Sequence, residues 1–304
     1  MSNRHNPPAN ADDLPEGPWQ LSKNYPVLPE PLETPIIDNH THLNLAVTDD
    51  LTVEMQLDYA EQVGVTRVMQ IGTDIESSAW SVALAEKDAR VLAAVAIHPN
   101  EAPRVAERGQ LAKHLDRIAE LAEHPRVRVI GETGLDFFRT EGDEAIRQQF
   151  ASFEAHIDMA RQLNLALQIH DREAHRDVLK TLDRVGSPER TVLHCFSGDR
   201  DFAEECVRRG YYFSYAGTVT FGNADNLRQA LEVIPLELLV LETDAPYLTP
   251  APFRGRHNSA YLLPHTFRYI ADFLGVSEEK LALQTNTNCE LLYGSWSEGV
   301  TVND

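Results

Sequence analysis

The chain has 304 residues with 27 Lys+Arg against 47 Asp+Glu, a formal net charge of −20. So acidic a surface excludes general electrostatic adhesion to nucleic acid or anionic membrane, and a polyanionic substrate must be met by a local cationic pocket or by metal ions. Three cysteines without metal-type pairing, no apolar run approaching the ~20 residues of a membrane span, and no signal-type N-terminus point to a cytoplasmic protein without a membrane partner.

Residues 1–34 hold seven prolines, with Pro35 directly after, in a stretch without periodicity, and they read as an extended N-terminal extension. Trp19, Leu21, Tyr25 and Leu28 are its candidate anchors to the surface. From residue 35 to 296, short apolar runs alternate with amphipathic segments. The expected strands are 35–38, 65–71, 91–97, 127–131, 165–170, 191–194, 211–215 and 238–242, several continuously apolar, as strands buried on both faces should be. The expected helices are 53–62, 77–88, 108–123, 144–161, 172–185, 201–209, 224–233, 264–274 and 278–293, and residues 297–304 form a tail.

Eight such strands over about 250 residues fit one closed TIM (β/α)8 barrel. A doubly wound open sheet shares the local pattern, but no glycine-rich dinucleotide fingerprint follows the first strand. No feature calls for an oligomer, and a monomer is expected.

In a barrel the chemistry sits at the carboxyl ends of the strands. There the sequence places Asp38, His40 and His42, then His98, then Glu132 between Gly131 and Thr133-Gly134, then His170, His194, and Glu242-Thr243-Asp244. His40 and His42, two residues apart in extended backbone, point to one side. Imidazoles and carboxylates gathered on one rim suit metal-assisted hydrolysis, in which a bound cation acidifies a water. Glu132, with glycines allowing close backbone approach, is the bridging candidate, and Asp244 is the candidate ligand and proton acceptor. A helix N-cap is the alternative role for Asp244. Arg139, Arg172, Arg254 and Arg256 fall on the same loops and offer planar forks for phosphate; Phe137, Phe138 and Tyr247 offer faces for bases.

The motifs Asp38-x-His40-x-His42, Gly131-Glu132-Thr133-Gly134-Leu135-Asp136, His170-x-Arg172-x-Ala174, His194-Cys195-Phe196-Ser197-Gly198 and Glu242-Thr243-Asp244-Ala245-Pro246-Tyr247-Leu248 together resemble the TatD-related metal-dependent deoxyribonucleases. The resemblance runs from about residue 35 to 294 and implies a metal-dependent-hydrolase barrel acting on phosphodiesters; the favoured expectation is a two-metal enzyme that trims DNA from an end with an activated water, and a weakly basic, narrow pocket predicts a preference for single-stranded ends. Carried over, it implies one divalent metal on His40, His42, Glu132 and Asp244, and a second on Glu132, His170 and His194. It gives His98, Arg172, Arg254 and Asn258 to phosphate and substrate. Histidines suit Zn2+, whereas turnover in the family is usually supported by Mg2+ or Mn2+. Thr133, Phe137-Phe138 and Ser259-Ala260 depart from the family's usual residues without removing a ligand, although Ser259-Ala260 put the grip around Asn258 in doubt. Hydrolysis of an ester or amide, as in an aminoacyl-tRNA deacylase, is the alternative chemistry, and a metal-loaded binding module is the third reading.

Overall fold

The computed structural model describes residues 24–45 and 51–297. Eight strands run parallel in sequence order: β1 (Ile36–Thr41), β2 (Val65–Ile71), β3 (Val91–Val95), β4 (Val127–Asp136), β5 (Ala166–Arg172), β6 (Thr191–Leu193), β7 (Tyr212–Tyr215) and β8 (Leu239–Leu241). The intervening helices are α1 (Val53–Gln62), α2 (Ile75–Lys87), α3 (Ala102–Glu107), α4 (Leu111–Ala122), α5 (Asp143–Gln162), α6 (His175–Val185), α7 (Arg200–Arg208) and α8 (Asp225–Leu231); α9 (Leu263–Leu274) and α10 (Glu278–Tyr293) follow β8. This is the TIM barrel that the alternation predicts.

Local chemistry sets several boundaries. Asp74 and Ser77 form a reciprocal capping box that starts α2, and Asp199 caps α7 by accepting from the Phe202 N–H at 2.9 Å. The helix expected over 108–123 begins later, as α4 at Leu111, and the separate short α3 precedes it. Gly109 sits between them at φ +67, a conformation that favours glycine. Strand β4 runs to Asp136, five residues past its expected end at Gly131, because its glycines permit contact with β5. A Cβ at Gly134, where φ is +141, would lie 2.0 Å from the His170 carbonyl oxygen.

The seam between β1 and β8 closes just beyond the strands. Asp244 N–H donates to His40 O at 2.9 Å, and His42 N–H donates to Ala245 O at 2.8 Å. The buried Asp38 carboxylate accepts from Thr243 N at 2.9 Å and from Thr243 Oγ1 at 2.6 Å. Burial pushes Asp38 up to about 7 despite those hydrogen bonds.

An apolar cluster that takes Ile37, Leu92, Val129, Ala166, Val192 and Val240 from the strands continues into Cys289, Leu292, Tyr293 and Trp296 of α10 and its end. The final turn of α10 thus packs against the strands' interior residues, while a larger core lies between strands and helices. Ahead of β1, Tyr25 stacks on His257 at 5.0 Å and Leu32 is buried, so this part of the expected extension packs on the barrel. Trp19 and Leu21 lie outside the described residues, as does the end of the expected tail.

Candidate active site

The five histidines expected at the rim converge on Glu132, which is 4 % exposed. Its Oε1 lies 2.7 Å from His170 Nδ1, 2.9 Å from His194 Nε2 and 3.3 Å from His98 Nε2. Its Oε2 lies 3.8 Å from both His40 Nε2 and His42 Nε2. Asp244 Oδ1 completes the second side, 3.4 Å from His42 Nε2 and 3.7 Å from His40 Nε2. No helix begins at Asp244, so the N-cap alternative falls. The residue instead holds φ +51, a strained conformation of the kind found where a side chain must be aimed.

The other nitrogen of each ring decides what it offers. His42 Nδ1 faces the Ile71 carbonyl at 3.3 Å, and a carbonyl only accepts, so Nδ1 carries the proton and Nε2 the lone pair. His40 Nδ1 faces Gln168 Oε1 at 2.9 Å, with the same result. His194 Nδ1 faces Glu242 Oε1 at 3.2 Å. His98 is reversed: its Nδ1 accepts the Asn100 N–H at 3.1 Å, so its Nε2–H points at Glu132 as a donor. That makes His98 a hydrogen-bonding group rather than a lone-pair ligand through this nitrogen.

Burial alone would raise Glu132, yet His98 and His194 beside it, and hydrogen bonds from His170 and His194, hold it well below the usual carboxylate range. Burial would lower His194, but Glu132 and Glu242 on either side lift it well above an ordinary histidine. His170 is raised likewise: the loss from burial is outweighed by Asp136 and Glu132. His40 is pushed well down by burial and by His194, whose ring stacks on it at 3.9 Å.

The donor set fits divalent cations. Three groups, His40–Glu132–His194, His40–His42–Asp244 and His98–Glu132–His170, each bring ligand-type atoms within 4.8 Å of one another. Imidazole with carboxylate is a chemistry shared by Zn2+ and Mn2+ sites.

Among the remaining expected site residues, Arg172 lies with its Cζ 4.0 Å from the ring of Phe138, and Arg254 4.3 Å from the ring of Phe221. Phe138 and Tyr247 are more than half exposed. Phe137 packs into the core against Phe150 instead, which removes it as a stacking face. Asn258 also departs from expectation. It is fully buried, its Nδ2 donates to the carbonyls of Thr243 and Tyr247, and its Oδ1 accepts from Ser259 N, so it braces the loop that carries Asp244 rather than facing a substrate.

Three partners carried no assignment from the sequence. Asp136 Oδ2 lies 3.2 Å from His170 Nε2, Glu242 backs His194, and Gln168 backs His40. The first two lie inside motifs, and their position beside a ligand histidine was the available signal. Gln168 offered only the oddity of a polar residue within an apolar strand.

A parallel eight-stranded barrel with imidazoles and carboxylates at the carboxyl ends of its strands defines a metal-dependent hydrolase. The chain belongs to the family described as TatD related DNase, whose profile matches residues 37–294. It is 41% identical over 263 residues to an uncharacterized metal-dependent hydrolase TatD of Mycobacterium tuberculosis, covering 85% of this chain and 98% of that one. It is 34% identical over 237 residues to a 3'-5' ssDNA/RNA exonuclease TatD of Salmonella typhimurium, covering 76% and 88%. Among solved structures it is similar to the TatD homolog YJJV of Escherichia coli, with a TM-score of 0.76 and 27% identity over 85% of this chain and 97% of that one. No helix among the described residues is long and apolar enough to cross a membrane.

Proposed function

We propose that the protein hydrolyses phosphodiester bonds of single-stranded DNA from an end, using two divalent cations held by His40, His42, Glu132, His170, His194 and Asp244. The observation that carries this reading is the division of Glu132: one carboxylate oxygen faces His170 and His194, and the other faces His40 and His42. A single residue so placed suits a bridge between two cation positions.

When bound, cations there would polarise a phosphoryl oxygen and acidify the attacking water. The chain's own residues do the rest. Asp244, beside His40 and His42, accepts the proton of the water. Once cations engage the Glu132 carboxylate, the His98 Nε2–H that points at it would be available to a phosphoryl oxygen. The guanidinium groups of Arg172 and Arg254 have no hydrogen-bonded or ion-paired partner among the described residues, so both are free to take phosphate forks in a protein of net charge −20. Phe138 and Tyr247 present exposed faces to bases, which a duplex would keep stacked.

End-labelled single-stranded DNA incubated with Mg2+, with Mn2+, with chelator and with Glu132→Ala tests the reading. A ladder shrinking from one end, dependent on metal and absent in the variant, is expected. Intact DNA in every wild-type lane would overturn it and make aminoacyl-tRNA the next substrate.

A further inference from the structure

We infer that Gln168 is a positioning residue for the metal centre: its side-chain amide fixes the tautomer of His40, so that the lone pair of Nε2 faces the cation position. This rests on the reading of His40 as a ligand, and not on which bond is cleaved.

Gln168 lies on β5, fully buried in the middle of an apolar strand. Gly131 opposite leaves room for it, since a Cβ there would come within 2.8 Å of Gln168 Cβ. A buried amide must have partners for both ends. Gln168 Nε2 donates to the Asn39 carbonyl at 3.0 Å and to Tyr293 Oη at 2.9 Å; its Oε1 lies 2.9 Å from His40 Nδ1.

The Asn39 carbonyl decides the direction. It can only accept, so the NH2 group must face it and the oxygen must face His40. An oxygen facing Nδ1 requires a proton there, which leaves Nε2 unprotonated toward Glu132 and Asp244. Reversing the amide would set two lone pairs against each other at Asn39 and protonate the wrong nitrogen of His40.

The orientation is reinforced from below. Tyr293 Oη–H donates to Asn39 Oδ1, and Asn39 Nδ2 donates to Ser214 Oγ at 2.9 Å. Donation therefore runs in one sense outward from the centre, from His40 through Gln168 of β5, Tyr293 in the last turn of α10 and Asn39 of β1 to Ser214 of β7. All five side chains are buried. His42 is oriented by a backbone carbonyl and His194 by a carboxylate; His40 depends on a neutral amide, a partner that sets the tautomer without adding another buried charge beside Asp38, Glu132 and Glu242.

The test compares wild type with Gln168→Met, which keeps shape and removes the acceptor. Histidine 15N chemical shifts of the metal-free protein read the tautomer, and calorimetric titration with Mn2+ reads affinity without turnover. In wild type, His40 should carry its proton on Nδ1. In the variant that preference should be lost, and Mn2+ affinity should fall about 10- to 100-fold with the fold retained. A wild-type His40 protonated on Nε2 overturns the inference whether or not the variant folds. So does a variant with wild-type tautomer and affinity. Failure of wild type to bind Mn2+ or Zn2+ would instead sink the reading of the site itself.

Discussion

His170 Nε2 lies 3.2 Å from Asp136 Oδ2, while the opposite nitrogen of the same ring lies 2.7 Å from Glu132. Asp136 is itself fixed by the backbone N–H groups of Phe138 and Arg139 and by the Asn100 amide. The ring is thus clamped by a carboxylate that cannot turn away. Replacing Asp136 with Asn keeps the shape but weakens the acceptor. Divalent-cation affinity is expected to fall about 10- to 100-fold, read by calorimetry, with little change in melting temperature. An unchanged affinity would show that Asp136 only ties the loop.

His156 contributes to the pH dependence of stability on the acid side. The ring is fully buried on α5, where Nδ1 donates to Ser152 O at 2.7 Å and Nε2 accepts the Ile97 N–H at 3.2 Å. Burial lowers it from 6.5 to about 4. Its stabilisation is fully present above pH 6.5 and is lost as pH falls toward 4, because the unfolded chain then binds a proton that the folded chain refuses. The full loss is of order 3 kcal/mol at ~1.4 kcal/mol per pH unit. Melting temperature should fall between pH 6.5 and 4.5, and His156→Gln should flatten that fall. An equal slope in the variant would remove His156 as the cause.

On the proposed reading, substrate grip is separable from chemistry at Phe138. Truncation to Ala removes an exposed ring and the seat of Arg172 without touching Glu132. KM for a single-stranded oligonucleotide should rise about 5- to 100-fold, from ~1–3 kcal/mol of stacking, with kcat nearly unchanged. Equal losses in kcat and kcat/KM would place the ring in the chemical step instead.

Gly134 tests the contact between β4 and β5. Alanine there meets the His170 carbonyl oxygen and takes up a backbone conformation that L residues rarely adopt. Gly134→Ala should lower stability by about 2–3 kcal/mol and disturb cation binding together, since the same strands carry Glu132 and His170. A variant with wild-type melting temperature and affinity would contradict the geometry.

The strands and most ligand-type residues were legible in the sequence because buried parallel strands are plain apolar runs and the chemistry gathers at their ends. Two kinds of information were not. Where β4 continues past Gly131, the continuation depends on how closely β5 approaches, which no pattern within residues 127–136 expresses. The supports of the histidines depend on partners distant in the chain: Gln168 meets His40 across 128 positions, and Glu242 meets His194 across 48. Asn258 misled for the reverse reason. A polar residue in an active-face loop resembles a substrate group until its amide is seen spanning two carbonyls of its own loop.

The seam that joins Asp38 and His40 to Thr243 and Asp244 has a consequence in time. The first strand leaves the ribosome some 200 residues before the segment that completes it. His40 and His42 therefore wait, without Asp244, until nearly the whole barrel has been synthesised and its last strand has docked on its first. The arrangement of His40 and His42 beside Asp244 thus exists only once the segment after β8 has met β1.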